Sequence, residues 1–397
     1  MNNRIMILGA GRGQVKLIEV AKELGYVTVV AGVKGNYPGI DIADEVCYID
    51  ISNPQEVCDA AKRLNVGGVA TSCLDTGVPA LGYTCEKLGL CGLSFSAAEK
   101  AGNKFLMKQE FAKCGVSTAP FRMVSDLDEF HKAVSEIGLP VIVKAVDLQG
   151  SRGITIVHTI EEATDAFSYT MSETRKDFCI VEKFIVGTEF GASAFVYNGE
   201  ILFVLPTGDD TYTARTGVPV GHHVPCRMPE DVLRQADEQT RLAIEAIGFD
   251  NCAINVDLIE SDGKVYVIEI TGRMGANCLP ELNSIYYGVD IYKMIADTAM
   301  GKDPRKYFDN RAKEFTAACS KMLISDKSGV LKRIENKNID APYINEITLF
   351  VKEGEVVNRF TNSKDCVGQI VVSGVDGVDP FAMVEDVANN IEFVLED

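Results

Sequence analysis

The first 95 residues switch repeatedly between two hydrophobic periods, and this alternation limits the fold more than any other feature of the chain. Short apolar runs at residues 5–8, 27–31, 46–49 and 66–71 have the length of buried strands. Between the first two, residues 14–24 carry helical spacing that stops at Gly25, and a further helix opens at Pro54 behind the capping residue Asn53. Strands separated by helices of this length return to the same edge of a sheet. The pattern therefore predicts a parallel, Rossmann-like sheet with helices on both faces.

At 397 residues the chain is too long for one small core, and the periodicity divides it further. Residues 96–116 are expected to form a helical linker, introduced by a Ser96–Glu99 capping box and ended near Gly115. Residues 117–186 read as a compact α+β unit. It has a helix at 126–137 capped by Ser125, a strand-loop-strand at 141–157, a helix capped by Thr159 with Glu162, and a strand at 179–184. Residues 187–304 carry longer strands and a helix at 232–247 ended by Gly248. Residues 305–397 add strands at 345–351 and 368–373 and a closing helix from Pro380. The predicted architecture is α/β and α+β, multidomain, without internal repeats or low-complexity linkers.

Fifty-seven acidic against 39 basic residues give a formal net charge of −18, which repels polyanions and argues against nucleic-acid binding. A phosphate ligand needs local cations or a metal. The opening MNNRIMILGA lacks a signal-peptide pattern, and no run reaches the length of a membrane span, so a cytoplasmic protein without a membrane partner is expected. The twelve cysteines are scattered, the closest pair (Cys85, Cys91) being six apart, and there is neither CxxC nor HExxH. Buried reduced thiols are the expected state.

ILGAGRGQ places Gly9 and Gly11 between a strand and a helix, where backbone N–H groups can hold an anion or merely permit a tight turn. A dinucleotide site is disfavoured, because Gly13 comes one place early and the second strand ends without a ribose-binding acid. Asp75 and Thr76 follow the fourth strand. They can face a small substrate at the carboxyl end of the sheet, or Asp75 can simply cap the next helix.

The chemistry concentrates further along. Lys144 lies in the apolar run VIVKA, and a buried ammonium needs an anion. The following QGSRG loop, with Gly150, Ser151 and Gly153, offers amide donors for a phosphate, and Lys104 begins the preceding helix. VEKFIVGTE runs from Glu182 as extended chain to Glu189; its backbone can meet a flat base while the later carboxylate meets a ribose. NVDLIESDGKVYVIEITGR reads as a hairpin turning at Asp262-Gly263, with Asp257 and Glu269 each six residues from Gly263 and so opposed across the ladder. Two opposed carboxylates call for a cation, and hard oxygen donors point to magnesium, with manganese as an alternative. Arg273 adds a cation where transferred phosphoryl charge develops.

In this order, GNK, PVIVKA, QGSRG, VEKFIVGTE, Asp257 and EITGR resemble the ATP-grasp superfamily over roughly residues 1–300. The resemblance implies a Rossmann-like first domain (1–95), a lid (117–186), and ATP held between the lid and residues 187–304. Lys104, Lys144, Gly150, Ser151, Gly153, Glu182, Lys183, Ile185 and Glu189 are then ATP contacts, the backbone around Lys183 and Ile185 reading adenine. Asp257, Glu269 and Thr271 hold the metal, although Thr271 stands where many members carry Asn. Arg273 and Lys144 are the catalytic cations, and Gly11, Asp75, Thr76, Arg273 and Asn277 face substrate. The chain is similar to biotin carboxylase, carbamoyl-phosphate synthase and the glycinamide ribonucleotide synthetase group, while TARTGVPVGHHVP, with His222 and His223, is similar to amino-acid ligases. Those histidines approach ATP or substrate, or are satisfied loop residues.

The resemblance implies an ATP-dependent carboxylate–amine ligase working through an acyl phosphate on small-molecule substrates, with a homodimer as the family habit. A purine- or pyrimidine-pathway enzyme of the same fold is one alternative. A non-catalytic ATP-binding regulator is another, favoured by Thr271.

Overall fold

The computed structural model describes residues 2–148, 153–213 and 217–396. The chain opens as β1 (Arg4–Leu8), α1 (Arg12–Glu23), β2 (Val27–Gly32), α2 (Pro38–Ile42), β3 (Glu45–Tyr48), α3 (Pro54–Arg63), β4 (Gly68–Ala70) and α4 (Val78–Leu88). These strands form the expected parallel sheet in the order β3-β2-β1-β4. Asn53 caps α3 by accepting from the Gln55 and Glu56 amides. The fourth strand is shorter than its apolar run, beginning at Gly68, where a Cβ would stand 2.2 Å from the Ala299 carbonyl oxygen. Only glycine allows that backbone approach.

Helices α5 (Phe95–Gly102) and α6 (Lys104–Cys114) lead to the second unit. Ser94, and not Ser96, caps α5, accepting from the Ala97 amide; the Ser96–Glu99 pattern lies within the helix. The second unit comprises β5 (Phe121–Val124), α7 (Leu127–Ile137), β6 (Val141–Lys144), β7 (Ile154–Val157), α8 (Ala163–Glu173) and β8 (Cys179–Lys183). Its antiparallel sheet has the order β5-β8-β6-β7. Here the cap moves by one residue: Asp126 accepts from the Glu129 amide, while the Ser125 amide donates to the Glu129 carboxylate. Phe130, Val141, Val143 and Val181 belong to a core confined to this unit.

There follow β9 (Thr188–Tyr197), β10 (Glu200–Thr213), β11 (Gly217–Val224), α9 (Glu230–Ile247), β12 (Cys252–Ser261), β13 (Lys264–Thr271), α10 (Leu279–Tyr287), α11 (Ile291–Ala299) and α12 (Arg305–Phe308). The remainder is β14 (Ala318–Leu323), β15 (Gly329–Asn336), β16 (Ile344–Leu349), β17 (Val356–Val357), β18 (Gly368–Ser373), α13 (Pro380–Asn389) and β19 (Ile391–Leu395). Strands β14, β15, β17 and β19 were not evident in the hydrophobic pattern. The long antiparallel sheet runs β13-β12-β9-β10-β11-β14-β18-β16, so it continues unbroken from the carboxylate hairpin into the last hundred residues. A smaller sheet, β17-β15-β19, completes that end.

Two apolar cores tie the parallel sheet to the long one. Met6 and Leu8 share a core with Ile254 and Val256, and Ile5 and Ile7 share another with Phe195 and Met274. Buried side chains on alternate faces of β1 thus fix where the Asp75 loop lies relative to the hairpin. All twelve cysteines are free thiols, buried apart from Cys73, Cys91 and Cys114. Among the described residues no helix is long and apolar enough to cross a membrane.

Candidate functional site: a cleft of paired charges

The floor of the main cleft is the β12–β13 hairpin. The Asp262-Gly263 turn has positive φ at both positions (52° and 76°), the geometry that a two-residue hairpin of this hand requires. In the resulting register Asp257 faces Glu269 and Asn255 faces Thr271. The Asn255 carboxamide donates to Asp257 Oδ1 at 2.9 Å. Burial, then repulsion from Glu269 and Asp209, pushes the Asp257 carboxyl up to about 7. Such crowding of carboxylates suits a site built around positive charge. The donors are hard oxygens, and among the described residues no group of three His, Cys, Asp or Glu side chains forms a self-sufficient metal cage. Two protein carboxylates with the rest of the shell drawn from phosphate and water is how magnesium is usually held, so these residues fit that ion.

Facing the hairpin are three lysines from two elements. Lys104 and Lys108 lie four apart on α6 and so on one side of it; Lys144 ends β6. Lys104 Nζ donates to the Leu148 carbonyl (3.0 Å) and Glu269 Oε1 (3.2 Å). Burial lowers its proton affinity, but Glu269 outweighs that and raises it. Lys108 and Lys144 both reach Glu182 Oε2 at 3.1 Å. Glu182 is only 2% exposed and its carboxyl, despite burial, is held down to about 2 by the two ammonium groups. Lys144 thus finds an anion within the protein. The sequence reasoning missed Lys108, although its position one turn from Lys104 and three before buried Phe111 places it on the inward face.

Arg273 leaves the end of β13 and meets Asp75 from the loop after β4. Its Nε and Nη2 donate to the two carboxylate oxygens at 2.7 and 2.6 Å, and Nη1 donates to the Met274 carbonyl at 3.1 Å. Asp75 therefore orients Arg273 and is not a helix cap, since Gly77 precedes α4. The hydroxyl of Thr271, expected at the metal, donates to Asp75 Oδ1 at 2.9 Å and so joins the arginine clamp. The amide absent at 271 stands directly across the ladder at Asn255. The Gly11 amide donates to Gln14 Oε1 (2.9 Å), and that of Gly9 to the Ala31 carbonyl (2.8 Å), so both of these donors are used within the protein. Neither Gly11 nor Thr76 lines the cleft, whereas Asp75, Arg273 and Asn277 do. Asn277 donates to the Pro219 carbonyl at 3.2 Å.

Gly150 and Ser151 lie outside the described residues. Gly153, at φ +63°, accepts from the Ala145 amide at 2.9 Å and closes the β6–β7 connection without lining the cleft. The 182–189 segment does line it, through Glu182, Lys183, Ile185 and Glu189. The amides of Lys183 and Phe184 are used by the carbonyls of Pro120 and Pro140, while the Ile185 amide has no hydrogen-bond partner among the described residues. Burial and the nearby Asp209 raise the Glu189 carboxyl. His222 and His223 lie in strand β11, not in a loop. His222 Nδ1 is 2.6 Å from Asp209 Oδ1 and faces the cleft, whereas His223 packs against Phe381 at 5.2 Å between ring centroids.

The cleft, ≈ 2020 Å³ with its open mouth included, has room for a nucleotide beside a second substrate. The chain is similar to known proteins over much of its length. Residues 102–217 match the family model "Phosphoribosylglycinamide synthetase, ATP-grasp (A) domain", and residues 321–396 match "L-amino acid ligase C-terminal domain 2". The solved structure described as phosphoribosylglycinamide synthetase from Anaerococcus prevotii is 46% identical, with 100% of each chain covered and a TM-score of 0.87. Alanine–anticapsin ligase of Bacillus subtilis is 25% identical over 63% of this chain, which spans only 57% of that relative's length. Phosphoribosylamine–glycine ligase of Streptococcus pneumoniae strain R6 is 27% identical over 76% of each. The chain belongs to the ATP-grasp superfamily of ATP-dependent carbon–nitrogen ligases. Within it, the chain is similar to both the phosphoribosylglycinamide synthetase and the L-amino acid ligase branches.

Proposed function

We infer that the protein activates a small carboxylate with ATP and joins it to an amine through an acyl phosphate. The observation that carries this is the opposed Asp257–Glu269 pair, with Lys104 in contact with Glu269 and Lys144 lining the same cleft. A substrate carboxylate oxygen attacks the γ-phosphorus and ADP leaves; the amine nitrogen then attacks the acyl carbon, with loss of phosphate. Asp257 and Glu269 would hold magnesium, which when bound supplies countercharge to the nucleotide phosphates. Lys104 and Lys144 contribute charge from the opposite wall. Asp75 fixes the Arg273 guanidinium, so that this cation meets developing phosphoryl charge without reorganising. The Ile185 amide and the Lys183 carbonyl are assigned to the adenine edge, and Glu189 to the ribose.

The substrates are assigned to the amino-acid class, as both carboxylate and amine. The C-terminal match to an L-amino acid ligase domain supports this reading, and the Gly9 and Gly11 amides are already used within the protein. Phosphoribosylamine with glycine is the second reading, favoured by the 46% identical relative. Phosphate release from Mg-ATP in the presence of pooled amino acids, or of glycine with phosphoribosylamine, separates the two. No release from either set would favour the regulator.

A further inference from the structure

The three cleft lysines are not equivalent. Lys104 pairs with Glu269 and Lys144 with Glu182, but Lys108 is 2% exposed and held from both sides: its Nζ donates to Thr118 Oγ1 at 2.6 Å and pairs with Glu182 Oε2 at 3.1 Å. Thr118 in turn donates to the Val267 carbonyl on β13 at 2.8 Å, fixing the hydroxyl as an acceptor toward Lys108. Glu182 thus receives two ammonium groups on one oxygen, while Oε1 is buried without a hydrogen-bond partner among the described residues although Glu182 lines the cleft. A buried carboxylate deprived of its cations takes up a proton or pays heavily for its charge.

We propose that Lys108 is a positioning residue that keeps Glu182 ionised and aimed into the nucleotide end of the cleft when Lys144 exchanges Glu182 for a ligand phosphate. This rests on the assignment of Lys144 to nucleotide phosphate made above. Two bonds anchor Lys108 below the cleft surface, so it stays while Lys144, 7% exposed at the end of β6, turns outward. Glu182 Oε1 then remains a fixed acceptor for an N–H of the bound ligand, a task that a protonated or rotated carboxyl performs less well.

The test is a binding cycle by calorimetry with Mg-AMPPNP on wild type, Lys108→Met, Glu182→Gln and the double variant, each checked for a native near-UV spectrum. Lys108→Met is expected to weaken the nucleotide about tenfold, which is roughly 1.4 kcal/mol. It should add less than twofold in the Glu182→Gln background, and Lys108→Arg should restore most of the affinity. Equal losses in both backgrounds, or unchanged affinity in a folded but less stable Lys108→Met, would overturn the assignment. If Lys108→Met fails to fold, Lys108→Gln, which can still donate to Thr118, carries the same expectation and the same refutation. Absence of binding by the wild type would instead remove the nucleotide site itself.

Discussion

Asp75 and Arg273 are 198 residues apart in sequence and joined by two parallel hydrogen bonds of 2.7 and 2.6 Å. One comes from the parallel sheet and the other from the hairpin, so the pair spans the junction between them. Burial raises the Asp75 carboxyl, but Arg273 outweighs it and keeps the pair ionised. Removing one partner of a fully buried pair costs about 3–5 kcal/mol, and this pair, with Asp75 26% and Arg273 12% exposed, is expected to cost less than that. Asp75→Ala is therefore expected to lower the melting temperature and to cut phosphate release at least tenfold. A scanning-calorimetry trace paired with the phosphate assay checks both; full activity at lowered stability would separate Arg273 from the chemistry.

Glu269→Gln keeps the shape of the hairpin and removes one of two opposed charges. Turnover is expected to fall by about two orders of magnitude, in the range seen when one preorganised electrostatic contact is lost. The magnesium concentration for half-maximal rate should rise. Normal turnover in a folded variant would take the metal away from this ladder.

For Lys144→Ala, nucleotide affinity measured by calorimetry should drop at least tenfold, roughly 1.4 kcal/mol per decade. An unchanged dissociation constant contradicts its contact with phosphate.

The pH dependence of stability follows from Glu182. Its folded carboxyl is held down to about 2, below the ordinary value of 4.5. A depressed carboxyl contributes stability that is fully present above its unfolded value and is lost as pH falls toward the folded one. Wild type should therefore lose stability between about pH 4.5 and 2 in part through this residue. Urea unfolding of Glu182→Gln over that window should show a shallower slope, and parallel curves would deny the pairing its role.

Much of the chemistry was written in local spacing. Asp257 and Glu269 were paired correctly because a two-residue turn at Asp262-Gly263 leaves little freedom of register. The parallel sheet was legible because its strand and helix periods alternate over short distances. What sequence did not reveal depends on distant partners. Nothing in the stretch around Lys144 showed that Glu182 and Lys108 come within its reach as well. Gly11 and Thr271 have the right residue types, but Gln14 and Asp75 reach them first. Helix caps slipped by one or two residues where neighbouring Ser and Asp compete, as at Ser94 and Asp126, since each type accepts an amide equally well.

The seam between β11 and β14, running from Gly221 opposite Lys321 to Val224 opposite Ala318, has a practical result for anyone swapping tails among such ligases. A cut before residue 318 would strip β11 of its neighbour and leave a bare backbone margin beside His222, open to pairing with other chains. Tail exchange between relatives is thus a problem of matching those rungs, and a graft that misaligns them would disturb the histidine before it altered any choice of substrate.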